Sequence, residues 1–126
     1  MCTPFPDGVP IPTDLFQQAQ HWLTTHWDAG SKILISCAAG QSRSVTMAIA
    51  LVSRKARMPF LDAALDVIAH VPGAYPHPSV LASAAAFSGQ PVQFEQLLKV
   101  YAAVQRQPPY PWSTDLLREA AGRIYR

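Results

Sequence analysis

A chain of 126 residues has the size of one domain around a single core. With 49% hydrophobic and 14% charged residues its composition is globular, which excludes intrinsic disorder. A net charge of +2 is too mild to call for nucleic acid, and no apolar run reaches the roughly 18 residues of a membrane span.

No secretory leader is visible, so the chain is read as cytoplasmic, with Cys2 and Cys37 as reduced thiols. The histidines and cysteines have no zinc-ligand spacing, so neither a metal nor a cofactor is expected and each histidine is read as surface or core. The basic cluster Arg54, Lys55 and Arg57 reads as a solvated helix end.

The proline-rich start MCTPFPDGVPIP predicts an irregular segment. A helix follows to about Asp28, with Thr13 or Asp14 as its cap and Gln17 placed for a capping box. Leu15, Ala19, Trp22 and Leu23 form its apolar face, and Gly30 is its stop. Ile33–Ile35 is the best strand candidate, apolar on both faces like a buried parallel strand. A helix over about 44–56 is apolar nearly all round and is expected at the centre. Pro59 opens the next, with Leu61, Ala64, Leu65 and Ile68 at core spacing. VPGAYPHP makes a turn, and Pro78 starts a helix to about Phe87. Two amphipathic helices, over roughly 92–105 and 114–125, are joined by RQPPYPW. Tyr75, Tyr110 and Trp112, in proline-rich loops, are candidates to line a groove.

The stretch CAAGQSR carries the chemistry. It runs from the end of the candidate strand to the start of a helix. Gly40 permits a positive φ, and the small side chains of Ala38, Ala39 and Ser42 leave the loop amides open. A ring of such amides at a helix N-terminus binds a dianion such as phosphate. Arg43 adds a planar fork for two phosphate oxygens. A cysteine in this field has its pKa drawn down to roughly 3.5–7.5. The spacing therefore predicts a Cys37 thiolate beneath a bound phosphorus atom, the arrangement for nucleophilic phosphoryl transfer.

CAAGQSRS matches the C-x-x-G-x-x-R-S signature and resembles the cysteine-based protein phosphatases, the dual-specificity branch above all. MPFLDAALDVI and AYPHPSVLASAAAF resemble that family's next two helices, so the likeness covers roughly residues 5–88. The resemblance implies a phosphatase-like α/β fold of three layers, a parallel sheet flanked by helices. Most of the family's strands precede its acid loop, and only Met1–Pro6 lie before Asp7 here. The chain is therefore expected to be truncated at that end and helix-rich. Residues 1–90 would form the catalytic region and 91–126 a helical extension of the same domain.

By the resemblance Cys37 is the nucleophile. Ala38, Ala39, Gly40, Gln41, Ser42 and Arg43 bind phosphate, and Ser44 helps the thiolate leave. The general acid would be Asp7, 30 residues upstream in the PFPDG loop. Asp14 is better used as a cap, and Asp28 ends the same helix. Ser36 stands where the family has a histidine, which implies a less perturbed cysteine and slower chemistry. The implied substrate is a protein carrying phosphotyrosine or phosphoserine/threonine; the competing reading is a pseudophosphatase that binds such a partner without turnover. Sulfur transfer and arsenate reduction fit the loop less well.

Overall fold

The computed structural model describes residues 5–37, 42–104 and 112–126. They form six helices: α1 (Thr13–Asp28), α2 (Arg43–Lys55), α3 (Phe60–His70), α4 (Pro78–Phe87), α5 (Phe94–Ala102) and α6 (Thr114–Gly122). Helix α2 packs against α1, α3 and α4. Helix α6 closes on α4 and α5, and α5 also meets α3.

The three-layer α/β architecture is overturned: no strand forms among the described residues. Ile33–Ile35 is irregular. Burial still alternates along it, with Ile33 and Ile35 half-buried against the core and Leu34 88% exposed. That is the side-chain pattern of a strand without the ladder. Among the described residues no backbone hydrogen bond joins residues 32–36 to another segment. A strand exists only through a neighbour, and none pairs with it among the described residues.

Helices supply the core instead. α4 is buried from Pro78 to Ala85, because Ala82, Ser83, Ala84 and Ala85 let α1, α2 and α6 approach closely. α2 buries most of its length, but Ala48 and Val52 are only half-buried, so the centre is shared between α2 and α4. Leu97 and Val100 of α5 and Leu117 and Ala120 of α6 belong to the same core as Ile49 and Phe60.

The ends of the helices follow local chemistry. Gly30, at φ +75°, stops α1 while the Ser31 N–H bonds the His26 carbonyl, the Schellman closure. Arg57 does the same for α2 at φ +54°, a costly conformation for a residue with a side chain. The expected capping box of α1 is absent: Pro12 is its N-cap, and the Thr13 hydroxyl goes to the Arg126 carbonyl. α6 is capped by Ser113, whose hydroxyl accepts from the Leu116 N–H at 3.1 Å. Helices α5 and α6 are both shorter than their sequence pattern suggests.

Candidate active site

Three irregular segments meet at the N-terminus of α2. The first holds Phe5–Pro12 and is pinned at its far end, where Ile11 is buried and its N–H donates to Ser83 Oγ on α4 at 3.0 Å. Its near end is held by Arg43, whose Nη1 donates to the Phe5 carbonyl at 2.9 Å. Asp7 lies between these anchors. The second segment leads to Cys37, and the third is the turn before α4 that carries Tyr75 and His77.

The side chain that joins them is Ser42. Its hydroxyl donates to Asp7 Oδ1 at 2.7 Å and accepts from the His77 N–H at 2.9 Å. Ser42 is the N-cap residue of α2, yet its hydroxyl caps nothing in the helix. That hydroxyl is engaged outside the helix and the first turn holds no acidic residue, so the positive end of the α2 dipole is left to groups from outside the helix.

Cys37 is half-buried at this helix end. Its Sγ lies 3.2 Å from Ser44 Oγ and 3.5 Å from the Ser44 backbone N. As a thiol it donates to the hydroxyl; as a thiolate it would accept from both the O–H and the N–H. Cys37, Ser42, Arg43, Ser44 and Asp7 are thus gathered at one place. Ala38, Ala39, Gly40 and Gln41, expected to bind phosphate, lie outside the described residues, as does Cys2. Asp14 stays exposed at the start of α1, and Asp28 pairs with Lys55. Among the described residues, Asp7 is the one of the three acids hydrogen-bonded to the loop.

An aromatic group borders the site. Tyr75 stacks on Trp112 with ring centroids 5.1 Å apart, and His77 meets Trp112 edge-on at 4.7 Å. Tyr101, on α5, donates its hydroxyl to the Pro76 carbonyl at 2.6 Å. Burial pushes the phenols of Tyr75 and Tyr101 up, Tyr101 strongly, so both are neutral at pH 7. Burial draws the His77 imidazole below its ordinary value of 6.5, against the opposing pull of the Asp7 carboxylate. Tyr110, the third groove candidate, lies outside the described residues.

His77 is the residue that sequence reasoning missed. The signal was its place in PHP, immediately before an apolar helix. Flanking prolines stiffen the backbone there, and a polar side chain in that position caps the helix. Among the described residues, no group of His, Cys, Asp and Glu is placed to hold a metal ion, and no helix is long and apolar enough to cross a membrane. No family model, no curated protein and no solved structure matches the chain.

Proposed function

We propose that the protein is a phosphoprotein phosphatase working through a cysteinyl-phosphate intermediate. The observation that carries the reading is the hydrogen bond from Ser42 to Asp7, because it brings the one carboxylate suited to general acid catalysis to the loop that bears the thiol. The Cys37 thiolate attacks phosphorus, an S–P bond forms, and the P–O bond to the substrate oxygen breaks. Asp7 gives its proton to that oxygen. Water then attacks phosphorus and returns a proton to Asp7. The S–P bond breaks with the electron pair on sulfur, where the Ser44 O–H and N–H receive the charge. Arg43 and the start of α2 hold the phosphate dianion throughout.

The substrate proposed is a protein carrying phosphotyrosine, with phosphoserine or phosphothreonine as further substrates. Neither nucleic acid nor a membrane is part of the reading. Thiolate chemistry of this kind needs a reducing compartment, so the cytoplasm is the location proposed. A second reading, binding of a phosphorylated partner without turnover, is favoured by one observation. Ser36 stands directly before the thiol, where the resembled family has a histidine that tunes it. Hydrolysis of phenyl phosphate, whose leaving group needs a proton, by the purified chain separates the two. The expected result is turnover that is lost in Cys37→Ser and falls by about 10²-fold or more in Asp7→Asn. A folded wild-type chain that binds phosphopeptide but releases no phosphate would establish the second reading instead.

A further inference from the structure

We propose that His77 is a positioning residue of this site, the seat on which the Asp7–Gly8 turn rests against the end of the thiol loop. Its catalytic meaning rests on the phosphatase reading; its place beneath the Asp7–Gly8 turn does not. Two parts of His77 act together. The backbone N–H holds the Ser42 hydroxyl at 2.9 Å, and that hydroxyl holds Asp7. The ring lies directly beneath the turn. A Cβ placed on Gly8 would stand 3.8 Å from Nε2 and 3.9 Å from Cδ2 of His77. Gly8 has φ +83°, a conformation that glycine takes at little cost and that brings the turn down onto the imidazole.

The ring is itself fixed. Nδ1 accepts from the Ser79 N–H at 3.1 Å, which caps α4 and leaves the proton of the neutral imidazole on Nε2, the edge toward Gly8. Trp112 holds the ring from the side. The ionisable groups around it are Asp7 from the N-terminal segment, Tyr101 from α5, and Tyr75 from its own turn. At the start of α2, Arg43 is engaged with the Phe5 carbonyl. Asp7 is the one anion among these, and its carboxylate acts on the imidazole. The general acid is exposed and sits in a short irregular turn, so something must hold it. Ser42 is hydrogen-bonded to it, and the His77 ring lies beneath its neighbour Gly8.

The test compares His77→Asn with wild type on two substrates, phenyl phosphate and 4-nitrophenyl phosphate. Asparagine is a strong N-cap, so this variant keeps the cap of α4 and the fold while removing the ring. Phenolate leaves only when protonated, whereas nitrophenolate leaves without help. A residue that positions Asp7 therefore affects the first substrate and spares the second. The expected result is a fall in kcat of about tenfold on phenyl phosphate, a fraction of the 10²–10⁴ a positioned acid is worth, with 4-nitrophenyl phosphate within about threefold of wild type. Equal losses on both substrates, or none on either, would overturn the proposal. In parallel, the His77 imidazole is titrated by NMR in wild type and in Asp7→Asn. The midpoint is expected to fall in the variant, where the carboxylate that favours the imidazolium is gone. An unchanged midpoint would overturn the contact. If wild type hydrolyses neither substrate the phosphatase reading fails, and the titration alone decides whether His77 seats Asp7.

Discussion

Ser42 illustrates how one hydroxyl can decide a site. A serine at the N-cap of a helix ordinarily turns inward and satisfies one of the helix's own orphan donors. Here it is buried and turned outward, so that it donates to Asp7 and accepts from His77. The helix loses a cap, and the Asp7 carboxylate is held at its start. The same helix contains a residue with the opposite economy. Thr46 is fully buried, and its Oγ1 has no hydrogen-bond partner. A hydroxyl taken out of water without a partner costs about 1–3 kcal/mol, whereas a methyl group of the same shape costs nothing of the kind. Thr46→Val is therefore expected to raise stability by about 1 kcal/mol in urea unfolding. A loss of stability would mean that the hydroxyl does have a partner in solution.

At the scale of elements, the contrast lies between residues 32–36 and the helices. The segment Lys32–Ser36 has the composition of a core strand, yet it contributes little to the core. Leu34 is 88% exposed, whereas Ile49 of α2 is fully buried. Truncating the two separates hydrophobic character from hydrophobic burial. Leu34→Ser is expected to change stability by less than about 0.5 kcal/mol. Ile49→Ala is expected to cost about 2–5 kcal/mol, the sum of lost transfer energy and the cavity left behind. Denaturant midpoints of the two variants check both. A cost for Leu34→Ser approaching that of Ile49→Ala would show that the segment is covered in solution. The site lies between these two kinds of element. Cys37 lies on the irregular side, and Arg43 begins the packed helix.

For the whole molecule, closure comes from the ends of the chain. The Thr13 hydroxyl at the start of α1 reaches the Arg126 carbonyl, and Tyr125 meets Phe87 of α4, which in turn meets Phe16 of α1. α5 and α6 thereby share one core with the helices around the site. Buried titratable groups then set the pH range of stability. His77 has its folded pKa depressed by burial, so its contribution is complete above the ordinary value of 6.5 and is lost as pH falls through the lower folded value. Tyr101 has its folded pKa raised by burial. Its contribution is complete below the ordinary value of 10.0 and is lost as pH rises toward the higher folded value. Stability is expected to be greatest between these limits, and His77→Asn is expected to flatten the acid side of thermal unfolding measured against pH. An unaltered acid side would assign that slope to other groups.

The sequence by itself determined the helices and set the residues of the loop side by side. Apolar spacing, Gly30 and Pro78 are local signals, and local signals suffice where each hydrogen bond closes within four residues of its donor. Cys37, Ser42, Arg43 and Ser44 are near neighbours in the chain, so the likeness of CAAGQSRS to a phosphatase loop was visible in one line. The same reasoning failed for Ile33–Ile35. Its composition suited a strand, but a strand is a relation between segments, and composition says nothing about whether a second segment lies alongside. Only the tertiary structure set Asp7 beside Ser42 and His77 beneath Gly8, because those contacts join residues 35 and more apart in the chain. No period or motif encodes them. They follow from where Ile11 is buried, how α4 is capped, and which hydroxyl is left to turn outward.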